Sequence, residues 1–285
     1  MGQSGGGTLS IDDKPFNIGD GANPVAALRE NHADHGIYLG IKGGKAGYNH
    51  GHMDVGSFVL DAAGVRWAWD LGAEGYGRIE AMGLSLWSMA QTSDRWTIYR
   101  LNNMSHNTLT VDGQRQLVAG MGRVVSLTDG AQSESRLDLS AVAENVCTNW
   151  IRGCKLLPDG RGLVLADRMA GLKPGAKVRW AMMTKANAEV DGDVLHLTYG
   201  GKRLDLVQQG PLKGAWEILK AGTENPQDSA NGGFRQVAFV VPAPDDGLAK
   251  IRIRFDLPAV QEMCGRKESR VGVHTCIGID RISAA

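Results

Sequence analysis

The 285 residues carry 31 Lys plus Arg against 31 Asp plus Glu, and this even balance excludes the basic excess of a dedicated nucleic-acid binder. A hydrophobic content of 42% excludes general disorder and allows a sizeable core, and the length suits a large all-β sandwich. The 39 glycines sit largely beside short β-like runs, as tight turns do, and no apolar run reaches the roughly 18 residues of a membrane-spanning helix.

Residues 1–32 read as an irregular lead-in. Met1 to Gly7 is polar and lacks the apolar core of a signal peptide, Gly19 to Pro24 is a cluster of breakers, and 26–30 suits one helical turn. The first strand is expected over 36–42. Runs at 57–61 and 65–71, separated by Ala62-Ala63-Gly64, predict a hairpin. If Asp61 pairs with Val65, then Phe58 faces Ala68 and Gly56 faces Asp70. Residues 79–90 form a helix or a long covering loop. A strand at 108–111 ends in the turn Asp112-Gly113, with His106 at its start.

From about 120 onward strand follows strand, at 124–127, 163–168, 177–184, 194–199, 203–208, 236–241 and 250–256. Asp191-Gly192-Asp193 and Tyr199-Gly200-Gly201 supply turns. Trp150, Trp180 and Trp216 are expected in the core. Cys147, Cys154, Cys264 and Cys276 form no Cys-x-x-Cys pair and are expected as free, buried thiols, although three disulfide pairings remain formally open. The expected fold is an antiparallel β-sandwich over 33–258, with 259–285 as a tail or final edge element.

The chemistry concentrates in Tyr48-Asn49-His50-Gly51-His52-Met53-Asp54-Val55-Gly56-Ser57-Phe58. On a short strand, His50, His52 and Asp54 would share one face, because side chains alternate with period two. Two such imidazoles can ligate a metal, or one can ligate while the other moves a proton. A polar loop whose histidines bond to neighbours fits the same residues. By hairpin parity Asp70 shares that face, but a straight strand would hold His52 about 13 Å from Asp70's partner at about 3.3 Å per residue, so a bend is required. Asp54 either orients a histidine or caps the turn. His32, His35, His196 and His274 are assigned no function.

Together with Arg66-Trp67-Ala68-Trp69-Asp70-Leu71-Gly72 and His106-Asn107-Thr108-Leu109, this stretch resembles the heparinase II/III-like polysaccharide lyases, alginate lyases included. The resemblance covers roughly 34–255, the β-sandwich half of those enzymes. It implies one structural zinc held by His52, Asp70 and His106, a donor set that suits that ion. It places His50, with Asn49, beside the substrate carboxylate, and Tyr76 as a site tyrosine. The implied reaction is β-elimination at a uronic acid, on an acidic polysaccharide or oligosaccharide.

Arg95 and Arg100 would either hold the anionic sugar or be charges on a strand rim. The helical toroid that precedes the sandwich in relatives is not expected within the roughly thirty-five residues before the match. A separate helical partner, a homo-oligomer, or a non-catalytic carbohydrate-binding or scaffold sandwich would accommodate that. A zinc hydrolase is the remaining reading. Relatives are commonly periplasmic or secreted, whereas this chain shows no export signal. Zero net charge leans away from heavily sulfated glycans.

Overall fold

The computed structural model describes residues 16–18, 22–31, 35–128, 133–158 and 160–258. Met1 to Gly7, Gly19 to Gly21 of the breaker cluster, His32, His274, Cys264, Cys276 and the tail 259–285 lie outside them.

The first strands are β1 (Phe16–Ile18), β2 (Val25–Arg29), β3 (Tyr38–Lys42), β4 (Phe58–Ala62) and β5 (Val65–Ala68). A six-residue helix, α1 (Tyr76–Ala81), precedes three 3-10 turns at Asp94–Thr97, Tyr99–Leu101 and Asn103–Ser105. Then come β6 (Leu109–Val111), β7 (Arg123–Thr128), β8 (Glu134–Asp138), β9 (Asn149–Leu156), β10 (Gly162–Ala170) and β11 (Lys177–Thr184). The chain continues through β12 (Asn187–Asp191), β13 (Val194–Tyr199), β14 (Lys202–Gln208), β15 (Glu217–Lys220), β16 (Arg235–Pro242) and β17 (Ala249–Asp256).

One sheet has the order β1-β2-β3-β4-β5, a second β12-β13-β14-β17-β10-β9-β8-β7, and a third β15-β16-β11-β6. The Trp69 amide donates to the Met183 carbonyl at 2.9 Å, a bridge that joins the five- and four-stranded sheets just past β5. The eight-stranded sheet packs against this pair. Leu39, Phe58 and Trp67 meet Trp180 and Phe239, and both groups meet Trp150, Leu165 and Phe255, in one buried cluster. Phe58 sits edge-on to Phe255 at 5.9 Å, and Trp180 stacks on Phe239 at 5.7 Å. The expected all-β sandwich is therefore the fold, and the three tryptophans expected in its core are there. Cys147 and Cys154 are buried and free, as expected of them.

Several local expectations fail for physical reasons. Residues 25–29 are a strand rather than a helical turn, because pairing with β3 overrides the helical preference of its alanines. The lead-in thus joins the first sheet. In the β4–β5 hairpin Ala62 pairs with Val65, since Ala63 and Gly64 both take positive φ (54° and 75°) and close a two-residue turn. A bulge then sets Leu60, not Phe58, opposite Ala68. The extra residue is the buried Trp67, whose indole N–H donates to the Ala62 carbonyl at 2.9 Å. Of residues 79–90 only the first turn is helical, and the remainder is irregular.

Candidate functional site

Residues 48–57 form a folded loop, not the strand that would align His50, His52 and Asp54. The Gly51 amide closes a turn onto the Tyr48 carbonyl at 2.8 Å, with Asn49 and His50 at its corner. His50 takes φ 59°, a left-handed conformation uncommon for a side-chain-bearing residue. Gly51 is required beside it, because a Cβ there would lie 2.3 Å from the Ala46 carbonyl oxygen.

Side chains replace the missing strand ladder. Gln116 accepts from the Val55 amide at 3.2 Å and donates to its carbonyl at 2.8 Å. Thr108 donates to the same carbonyl at 3.1 Å, and the Met53 amide donates to the Leu101 carbonyl at 2.9 Å. Arg152 donates to the carbonyls of Gly56 (2.7 Å) and Asn107 (2.9 Å) while its other donors grip Asp167 at 2.8 and 2.9 Å. Buried backbone polar groups must be paired, and here a loop meets that demand with Gln, Thr and Arg.

An inner group lies below this loop. His106 is buried, and its Nδ1 lies 2.8 Å from Asp70 Oδ2. The His52 and His106 rings are 5.5 Å apart, centroid to centroid. Burial, then the neighbouring His106, lowers the His52 pKa to about 4, so its imidazole is neutral at pH 7. Burial alone would raise Asp70 and lower His106, but their mutual contact reverses both: the carboxyl falls well below its usual range and the imidazole rises. His106 Nε2 is buried without a hydrogen-bond partner. Asp54 forms an ion pair with Lys42 of β3, and its charge also acts on His52 and His106.

The donors suit zinc chemically: a neutral imidazole, an unpartnered buried Nε2 and an ionised carboxylate. Their arrangement is a hydrogen-bonded chain, because Asp70 holds Nδ1 of His106. No group of three or more His, Cys, Asp or Glu among the described residues is placed to hold a metal ion. Asp70 has the position of a carboxylate that orients a ligand histidine through its far nitrogen.

An outer group faces solvent. His50 Nδ1 lies 3.3 Å from the Tyr76 hydroxyl, and the two rings are parallel at 5.8 Å. Trp87 stands edge-on to both, at 5.8 Å from His50 and 5.3 Å from Tyr76. Its indole is held by Glu80 at 2.7 Å, yet it is 53% exposed. Asn49 is exposed beside His50. Tyr76 opens α1, which brings it across to the loop from twenty-six residues away.

Arg95 is no rim charge: it is fully buried in a 3-10 turn, donating to the carbonyls of Leu86 (3.1 Å) and Gly51 (2.7 Å). Arg100 likewise donates to the Ala73 carbonyl and to Asn231, at 2.8 and 2.9 Å. The sequence reading missed Trp87, whose exposure nothing local announces. It also missed Arg152 as a support of the loop, and the buried Asn107. Asn107 donates to the Phe58 and Trp69 carbonyls (2.7 and 2.9 Å) and accepts from the Met183 amide (2.6 Å). That one amide holds the ends of β4, β5 and β11 together beside His106.

The family model described as heparinase II/III-like, C-terminal, matches residues 25–231. Among solved structures, the chain is similar to the heparan sulfate lyase HepC from Pedobacter heparinus, with a TM-score of 0.63 and 16% identity. That match covers 85% of this chain and 36% of the other. A heparinase III structure aligns with a TM-score of 0.61 and 14% identity, over 85% of this chain and 36% of its own. Identities this low show a shared fold. The chain spans about a third of the length of these structures. No curated protein matches it.

Proposed function

Because the chain belongs to the heparinase II/III-like C-terminal family, we propose that it is the β-sandwich part of a polysaccharide lyase that cleaves a uronic-acid-containing glycan by β-elimination. The observation that carries this reading is the His50–Tyr76 pair, two proton-handling groups 3.3 Å apart on an exposed rim beside Trp87.

In the elimination, a base removes the proton on C5, the freed electron pair forms the C4–C5 double bond, and the C4–oxygen glycosidic bond breaks. The departing oxygen takes up a proton. The difficulty is the negative charge that develops on the C5 carboxylate. Asn49 and His50, exposed at the turn corner, supply hydrogen bonds to that charge as it grows. Tyr76 moves the proton, with His50 as its exchange partner. Trp87 offers a flat apolar face to a sugar ring. Arg95 and Arg100 act from behind, the first holding the Gly51 carbonyl of the turn and the second the Ala73 carbonyl just before α1.

Zinc belongs in the same reading, with His52 and His106 as nitrogen donors and Asp70 orienting His106 through its Nδ1. Bound there, it would lock the orientation of these side chains below the turn and add positive charge near an anionic substrate. The unpartnered His106 Nε2 supports this assignment.

Measuring binding and turnover separately tests the proposal against a sandwich that only binds. Calorimetry with a uronate oligosaccharide gives affinity, and ultraviolet absorbance of the unsaturated product gives turnover. Loss of the His50 imidazole should reduce turnover by about 10²-fold or more while affinity changes far less. Tight binding by the wild type with no absorbance change on any uronate glycan would leave the binding-only reading.

A further inference from the structure

A second cleft lies on the opposite face of the eight-stranded sheet. Arg152 of β9 points inward to the Gly56 carbonyl, so its neighbours Ile151 and Gly153 face outward. Across the strands, Arg136 pairs with Gly153, Gly153 with Ala166, and Ala166 with Arg252. Paired residues share a face, so two arginines stand about 14 Å apart, three strand spacings of roughly 4.8 Å, with only small residues between them. In the flanking rows Arg168 pairs with Lys250, and Lys155 with Glu134.

The result is a cleft of about 650 Å³ with a floor of small and aliphatic residues and a rim of five cations. Of the acids lining the cleft, Glu134 alone opposes them, bonded to Arg136 at 2.9 Å, because the Asp167 carboxylate turns inward to Arg152. Asp138 also faces outward, in the row of Arg168, but its carboxylate is bonded to Ser140. Arg168, Lys250 and Arg252 have no carboxylate partner among the described residues, and Arg168 bonds only to the neutral Asn149. In a chain of zero net charge this is a concentrated local field.

We infer that this outer trough is a second binding site for an anionic polysaccharide, separate from the His50–Tyr76 rim. The choice of polysaccharide rests on the proposed substrate class. The floor itself argues in the same direction: it carries no aromatic side chain on which a nucleic-acid base could stack. The sugar backbone lies along the Gly153–Ala166 floor while its carboxylates or sulfates meet the rim. Such a site would hold a long glycan to the molecule as the rim works on another part of it.

The test is equilibrium binding of size-defined uronate oligosaccharides, sulfated and unsulfated, to the full chain. Four variants are compared: Arg136→Glu/Lys250→Glu/Arg252→Glu, Gly153→Leu, Trp87→Ala at the His50 rim, and Lys173→Glu as an exposed control. A Cβ at Gly153 meets nothing closer than 3.8 Å, so leucine fits the backbone and fills the trough. The triple reversal should weaken binding by about tenfold or more, Gly153→Leu should weaken it without changing charge, and Lys173→Glu should not. Unchanged affinity in both trough variants, with folding intact by circular dichroism, overturns the site. Equal trough-dependent binding of single-stranded DNA or of anionic vesicles overturns its assignment to polysaccharide. Binding lost in the trough variants from a protein that never forms unsaturated product leaves this site standing and removes the lyase reading alone. Binding lost only on Trp87→Ala does the reverse.

Discussion

At the scale of single residues, the site holds two histidines in opposite conditions. His50 is exposed and sits in a left-handed conformation that costs about 1 kcal/mol. Replacing it with glycine should therefore raise the denaturation midpoint slightly while abolishing turnover, a pairing that a purely structural histidine would not give. His52 is held neutral, with a pKa of about 4 against an ordinary 6.5. In metal-free protein the unfolded chain takes up a proton there between pH 6.5 and about 4 that the folded chain refuses. Stability from this group is thus complete above pH 6.5 and falls as the pH drops toward 4. The raised His106 works the other way, stabilising below 6.5 and losing that contribution as pH rises through its folded pKa. Asp70, lowered, stabilises above the usual carboxylate range and loses this only in stronger acid. Chemical denaturation of chelated protein between pH 4 and 7 should show a slope that His52→Asn flattens.

At the scale of elements, the loop that carries His50 and His52 is a guest of the sheets around it. Arg152, a fully buried cation on β9, reaches across the core to the Gly56 and Asn107 carbonyls. Arg152→Met leaves Asp167 buried and unpaired, and should lower stability by about 3–5 kcal/mol in urea unfolding. The same arginine explains why β9 escaped the sequence reading: an inward Arg152 among Trp150, Cys154 and Leu156 breaks the apolar alternation. β8 offers only Leu137 as an apolar inward residue, and β12 and β15 are short, largely exposed edge strands. β13, whose first four residues alternate, and β11, a mostly apolar run buried through its second half, were legible to the residue. The meeting of His52, Asp70 and His106 was legible only through resemblance to a family. The strand alignment proposed for His50 and His52 was wrong, and no local pattern announces that Tyr76 crosses to His50.

At the scale of the whole molecule, the site lies where two sheets are stitched together at Trp69 and Met183, so a ligand there should couple to global stability. One equivalent of zinc should raise the melting temperature of chelated wild type, and His106→Ala should remove that rise, read by metal analysis and calorimetry without any substrate. Zinc that stabilises both proteins equally would place the ion elsewhere. The same architecture separates two surfaces, with the His50 rim on one side of the eight-stranded sheet and the cationic trough on the other.

The most direct measurement is ultraviolet absorbance of unsaturated product from zinc-loaded chain on uronate polysaccharides, comparing wild type with Tyr76→Phe. The wild type should show steady growth and the phenylalanine variant a loss of about 10²-fold or more, since it keeps the ring against His50 and removes only the hydroxyl that carries the proton. Equal rates from the two proteins would contradict the assignment of proton transfer to the His50–Tyr76 pair.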